Sequence, residues 1–227
     1  MFLVITGMAQ ESRIAAGPGV SHVVCSGSDP DRLRTQLSGL DARGLRAVIS
    51  FGIAGGLDPS LRSGDVVVAT AVLAEEGTWK VPPSVVDAMA SRVRASGIPV
   101  AEGALVGVEE PVLLPATKAS MHAATDAIAV DMESHIGAAY AAARKLPFAA
   151  VRVISDPAER ALPTLAKGAL KPDGRVDWTA VFSGLARAPN ELSTLLRAGG
   201  DAGRAFAGLR RCRGLLDFGL CFGLADL

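Results

Sequence analysis

A single-domain α/β fold, with a mixed, mainly parallel sheet flanked by helices, is what this sequence predicts. Three observations carry that prediction. Short apolar runs rich in Val and Ile recur along the chain, and helical segments alternate with them. The runs are apolar at nearly every position, as strands covered on both faces must be. The 227 residues, 49% of them apolar, are enough for one substantial core.

Taken in order, Phe2 to Thr6 reads as a buried first strand; no basic flank precedes it, so it is not a signal peptide. Val20 to Cys25 is the second. Asp29-Pro30-Asp31 opens a helix running to about Gly39, with acids at the positive end of its dipole. Arg46 to Phe51 is a strand that ends in Gly52-Ile53-Ala54-Gly55-Gly56, a stretch suited equally to a tight turn and to backbone that approaches a ligand closely. Asp65 to Leu73 is a Val-rich strand. A helix starts at Pro82-Pro83 and ends near Gly97. Val100 to Val108 is a strand, Thr117 to Ala124 a short helix, Ala127 to Val130 a strand and Met132 to Leu146 a long Ala-rich helix. Phe148 to Ser155 is the last clear strand.

Residues 157 to 176 carry three Pro and two Gly and read as a loop or lid. Beyond Pro189 the chain reads as helical, with a break at Gly199-Gly200. The expected organisation is a domain over residues 1–185 and a helical extension over 186–227, packed on that domain or lying at a membrane surface. Arg204, Arg210, Arg211 and Arg213 precede Leu215, Leu216, Phe218, Leu220, Phe222 and Leu224; a basic stretch before an apolar one can rest on an anionic bilayer. Packing on the chain's own domain or on a second copy is the commoner fate of such a segment and is the favoured reading.

Twenty-three basic and twenty-three acidic residues cancel, so no net field favours nucleic acid, and aromatics are too scarce for a base-stacking strand binder. The three cysteines, Cys25, Cys212 and Cys221, form no paired framework, which fits a reducing cytoplasm. No apolar run is long enough to span a bilayer.

Chemistry concentrates in two places. Arg152 and Asp156 lie four apart on one strand, on the same side, near the carboxyl end where open α/β sheets bind ligands. Glu133 follows Met132 at a predicted helix start. The acid there is either a cap or a ligand for hydroxyls, with the Met thioether lying against an apolar sugar face. Glu11, in Gly7-Met8-Ala9-Gln10-Glu11, taken alone reads as a surface acid pairing with a helix dipole. Asp131 and His135 share an i, i+4 spacing, but no matching third ligand accompanies them, so no metal is expected. No GxGxxG follows the first strand, which excludes a dinucleotide-dependent oxidoreductase.

Read together, Gly7 through Glu11, Gly52-Ile53-Ala54-Gly55-Gly56-Leu57 with Ser63-Gly64-Asp65-Val66-Val67, Val130-Asp131-Met132-Glu133 and Arg152-Val153-Ile154-Ser155-Asp156 resemble the nucleoside phosphorylase and nucleosidase superfamily, which includes the methylthioadenosine/S-adenosylhomocysteine nucleosidases. The resemblance covers residues 1 to about 160. Glu11 to Ala15, Ala129 to His135 and Ile154 to Ala158 look most like its hopanoid-associated branch, linked to removal of adenine from adenosylhopane, a lipid-linked nucleoside.

The resemblance implies cleavage of the N-glycosidic bond of an adenine nucleoside without metal or organic cofactor, by a cytoplasmic homo-oligomer that could lie at the inner face of the membrane. It implies Asp156 as the acid that protonates the base, which calls for burial to hold its proton, and Glu11 as activator of water. Arg152 would position the nucleophile. Glu133 would bind ribose hydroxyls, Met132 pack on the sugar, Ala54 and Gly55 line the pocket with backbone, and Ser155 orient Asp156 or the base. The phosphate-gripping residues of phosphorylases are replaced by Ser50, Ile53 and Glu11, which favours water over phosphate as nucleophile. The adenine-stacking aromatic expected between Glu109 and Val112 is missing. Two alternatives stay open: a methylthioadenosine/S-adenosylhomocysteine nucleosidase, and a nucleoside- or lipid-binding protein without catalysis.

Overall fold

In the computed structural model, which describes residues 1–223, eight strands form one sheet. The elements are β1 Phe2–Thr6, α1 Ala9–Ala15, β2 Val20–Cys25, α2 Pro30–Ser38, β3 Ala47–Gly56, β4 Val66–Ala74, β5 Gly77–Lys80, α3 Pro83–Arg94, β6 Val100–Gly107, α4 Pro115–Thr125, β7 Ala129–Asp131, α5 Ser134–Ala143, β8 Phe148–Asp156, α6 Trp178–Arg187, α7 Leu192–Leu215 and α8 Phe218–Cys221. Five of the eight strand pairings are parallel: β1 with β2 and β3, β3 with β8, β4 with β6, and β6 with β7. The mixed, mainly parallel sheet is therefore as the sequence predicts.

The sheet also closes on itself. β3 pairs β8, β8 pairs β4, β4 pairs β6, β6 pairs β7, and β7 returns to the end of β3. A register shift between Ala54 and Gly55 bends β3 at the point where it leaves β8 and meets β7. The stretch Gly52 to Gly56, suited equally to a tight turn and to backbone close to a ligand, is thus strand rather than turn. Its glycines serve packing rather than turning. A Cβ at Gly52 would lie 2.6 Å from both Arg152 Nη1 and Glu11 Oε1, and one at Gly55 would lie 3.1 Å from Asp156 Oδ2.

Other expectations shift. Two elements are unexpected: the short β5, an antiparallel partner of β4 set just before Pro82-Pro83, and the amphipathic α6, which lies between Gly174 and Pro189. α5 is shorter than Met132 to Leu146, because Asp131 accepts hydrogen bonds from the backbone N–H groups of Glu133 and Ser134 and delays the first turn. α7 runs unbroken through Gly199-Gly200. Each glycine costs a helix about 1 kcal/mol; Ala205, Phe206, Leu209 and Cys212, buried where α7 packs on β8 and β3, offset it.

The C-terminal apolar residues turn inward. Leu216, Phe218 and Cys221 are buried, and the Phe218 ring sits edge-on to Phe2 at 6.1 Å and to Phe51 at 6.4 Å. Arg213 lies over the Phe218 ring, 4.8 Å from its centre. Leu220 stays exposed, and Leu224 lies outside the described residues. Among the described residues no helix is long and apolar enough to cross a membrane. Phe218→Ala is expected to cost about 3–5 kcal/mol in urea unfolding, as for a buried aromatic; a change within about 0.5 kcal/mol, as at surface sites, would contradict this seating.

Candidate active site

A cavity of about 310 Å³ opens where β1, β3, β6, β7 and β8 end. Gly7, Met8 and Glu11 reach it from the β1 end, Ile53 to Gly55 from β3, Val130 to Glu133 from β7, and Ser155 and Asp156 from β8. Leu162, Ala166, Ala169, Leu170 and Val176 of the 157–176 segment close it with apolar surface. That segment is tied down by a bond from Ala9 N to Gly174 O at 2.9 Å and by one from Leu162 N to Leu113 O at 2.9 Å.

Glu11 is not a surface acid: it is 1% exposed. Its Oε2 accepts from Gly7 N at 2.7 Å and Met8 N at 2.8 Å, and its Oε1 accepts from Ile53 N at 2.7 Å. Glu11 thus caps α1 and at the same time stitches β1 to β3. Burial pushes its carboxyl above the ordinary range, opposed by the charge of Arg152 and by the three N–H bonds.

Glu133 lies beside it. Its Oε1 accepts from Ser26 Oγ at 3.0 Å, and Gly7 has room for no side chain because a Cβ would lie 2.7 Å from that same oxygen. Burial pushes Glu133 up to about 7; Arg152 works against this, while Asp131 and Glu11 add to it. Met132 borders the cavity next to Glu133.

Arg152, expected at the nucleophile, does not border the cavity. It is wholly buried behind the carboxylates that do. Its Nε is 2.6 Å from Asp131 Oδ2, close but not aligned as a hydrogen bond, and its Nη2 is 3.6 Å from Glu133 Oε2. Nη2 donates to Ser50 Oγ at 2.5 Å and to Ser134 Oγ at 3.1 Å. Burial opposes its charge, yet Asp131, Glu133 and Glu11 raise its pKa further. Strand alternation puts Arg152 and Asp156 on one side, but four residues of strand separate them by roughly 13 Å, enough to place one in the cavity wall and the other beneath it.

Asp156 is 5% exposed and borders the cavity. Its Oδ1 is 2.5 Å from Ser155 Oγ, and its Oδ2 accepts from Lys118 Nζ at 2.6 Å. Burial is the surrounding expected for this acid; the ammonium is not. Lys118 and Ser26 are the two contributors that sequence reasoning missed. Lys118 sits in an Ala-rich helical run flanked at helical spacing by Leu114, Pro115, Met121 and His122, so only its lack of a nearby acid set it apart.

Asp131 and His135 part company. Asp131 turns to Arg152, while His135 Nε2 lies 2.9 Å from Glu109 Oε1. Among the described residues no group of three or more His, Cys, Asp or Glu is placed to hold a metal ion. Where an aromatic was looked for, Val108, Pro111 and Val112 border the cavity.

A family model described as the phosphorylase superfamily matches residues 2–168. Among solved structures, a Neisseria meningitidis 5′-methylthioadenosine/S-adenosylhomocysteine nucleosidase in complex with methylthio-immucillin-A has a TM-score of 0.69 at 17% identity, covering 93% of this chain and 95% of its own. The Helicobacter pylori enzyme of the same description, complexed with a substituted pyrrolidin-3-ol, gives 0.66 at 15%, covering 95% and 98%. Helicobacter pylori futalosine hydrolase gives 0.66 at 15%, covering 95% and 97%. At such identity the likeness is one of fold. No curated protein matches the sequence.

The buried carboxyls set a pH dependence. Glu133 holds its proton to about 7 when folded, against an ordinary 4.5. Between those values the unfolded chain has released the proton and the native state has not, so this contribution to stability is full below 4.5 and is lost as pH rises to about 7. Glu133→Gln is expected to flatten the fall in urea midpoint between pH 5 and 7; an unchanged slope would contradict the assignment. Arg152→Met, which leaves three buried carboxylates without their cation, is expected to cost about 3–5 kcal/mol by the same measurement.

Proposed function

Because the chain belongs to the phosphorylase superfamily, we propose that it cleaves the N-glycosidic bond of a purine nucleoside, with water as the nucleophile. One observation carries the reading: a single cavity is bordered by Glu11 beside Ile53, with Glu133 next to Glu11 at Gly7, and by Asp156 beside Gly55. Two residues of strand separate these points by roughly 7 Å. That is the reach from a ribose hydroxyl to the imidazole ring of an attached purine.

Breaking the bond leaves the pair of electrons on the base and an oxocarbenium-like ribosyl cation. Asp156 gives its proton to the base, a contribution of roughly 10²–10⁴-fold. Glu133 accepts the ribose hydroxyls, and its negative charge favours the cation. Glu11 draws the proton from the attacking water, and Met132 packs on the sugar. Ala54 and Gly55 offer backbone to the base, while Ser155 orients Asp156. Arg152 works from behind, holding Glu11, Glu133 and Asp131 together.

Water is favoured over phosphate because, among the described residues, no Lys or Arg borders the cavity while Glu11, Glu133 and Asp131 do. Arg13 is exposed on α1 and does not border it. A phosphate dianion would meet carboxylates without a compensating cation.

The substrate we infer is adenosylhopane. Its lipid-linked 5′ group is supported by the apolar side of the 157–176 segment and by a second cavity of about 480 Å³ that shares Ser28, Pro111, Met132, Ala166 and Leu170 with the first. The reading includes a homo-oligomer. Exposed Trp178 and Phe182, their rings 6.0 Å apart on α6, support a covered face.

The test is incubation with adenosylhopane or methylthioadenosine, with and without phosphate, reading base and sugar by mass. Adenine and an unphosphorylated sugar are expected, with adenosylhopane the better substrate. A phosphorylated sugar would overturn the nucleophile, preference for methylthioadenosine the lipid link, and nucleoside binding without base release the catalysis. Asp156→Asn is expected to lower kcat by about 10²–10⁴-fold, and Glu11→Gln to slow turnover while sparing substrate binding; near-normal turnover in Asp156→Asn would remove the proton donor.

A further inference from the structure

Lys118 is 0% exposed, and it is the one buried residue of α4. A lysine is almost never wholly buried unless paired. Here its ammonium is fenced by four oxygens: Asp156 Oδ2 at 2.6 Å, Asp156 O at 3.2 Å, Pro157 O at 3.0 Å and Arg160 O at 3.1 Å. Three are backbone carbonyls, which fix the ammonium relative to the chain just after β8. Arg160 is in turn anchored by Asp201 of α7, with Nε 2.9 Å from Oδ2. Lys118 does not border the cavity, so it does not touch a bound nucleoside.

Resting on the glycosidase reading above, we propose that Lys118 is a positioning residue that decides which oxygen of Asp156 acts as the acid. The ammonium only donates, so a proton on Oδ2 would point donor at donor. The transferable proton therefore belongs on Oδ1, beside Ser155. That side of the carboxyl is built for it. Ser155 Oγ has one proton and two neighbours, Ala54 O at 3.1 Å and Asp156 Oδ1 at 2.5 Å. The carbonyl can only accept. Against the carboxylate Ser155 Oγ donates to Oδ1; once Oδ1 carries the proton, Ser155 turns its own proton to Ala54 O and accepts from Oδ1. When the glycosidic bond breaks, the proton moves from Asp156 to the base nitrogen, the bonding pair leaves with the base, and water adds to C1′ and gives its proton to Glu11. The carboxylate left at Asp156 is then met by a charge-assisted bond already in place.

The test compares two leaving groups in wild type, Lys118→Met and Lys118→Arg. One substrate is a purine nucleoside, whose base needs a proton; the other is 4-nitrophenyl β-D-ribofuranoside, whose nitrophenolate does not. In Lys118→Met, kcat for the purine nucleoside is expected to fall by about 10²-fold or more, with KM and nitrophenyl riboside cleavage little changed. Lys118→Arg is expected to restore part of the purine activity. Equal losses on both substrates, or none on either, would overturn the proposal. Should Lys118→Met fail to fold, Lys118→Gln, neutral but still a donor, takes its place: a loss confined to the purine nucleoside supports the proposal, and equal losses or none overturn it. Wild type that releases no base from any purine nucleoside would remove the glycosidase reading as well; wild-type cleavage with indifference to residue 118 would remove this proposal alone.

Discussion

Everything at the carboxyl ends of this sheet depends on one buried guanidinium. Glu11, Glu133 and Asp131 each present a carboxyl at or near the same spot, and all three are buried. Three carboxyls so placed would repel one another and lose their hydration together. Arg152, wholly buried beneath them, is the cation that lets them coexist. The balance is incomplete, since one positive charge faces three groups that can be negative. The consequence is that burial raises the pKa of Glu11 and pushes that of Glu133 up to about 7, where Glu133 can exchange its proton at neutral pH.

The sheet supplies the geometry for this. Parallel pairing of β3 with β8 lays Gly52 against Arg152 and Gly55 against Asp156. Glycine at position 52 leaves room for the Arg152 guanidinium and the Glu11 carboxyl, with which a Cβ would collide, and at position 55 a Cβ would crowd Asp156. The same strand therefore lies between Glu11 and Arg152 at Gly52 and Asp156 at Gly55. Closure of the sheet through β7 then brings Met132 and Glu133 to the same cavity rather than to a distant edge.

Much of this was legible in the sequence. Apolar runs marked the strands of a mixed, mainly parallel sheet, because buried parallel strands write themselves as continuous Val and Ile. Glu133 and Asp156 could be named because each lies within three residues of the end of an apolar run. What was hidden depended on contacts between distant segments. Arg152 could be placed on the side of Asp156 but not beneath Glu11, since that requires knowing that β1 lies across β3. Gly52 to Gly56 resembled a turn because the reason for its glycines is a guanidinium a hundred residues away. Lys118 left only the want of a nearby acid as a trace, and the unbroken α7 contradicts its own Gly199-Gly200 through packing alone.

Catalysis at this site requires one bound molecule to touch the acid at 156 with its base and the acid at 133 with its sugar. A crystal structure with formycin A, a purine nucleoside analogue whose carbon–carbon glycosidic bond cannot be cleaved, tests this most directly. The expected result places the ribose hydroxyls within hydrogen-bond distance of Glu133 and the five-membered ring of the base against Asp156. A nucleoside bound with its base away from Asp156, or outside this cavity, would contradict it.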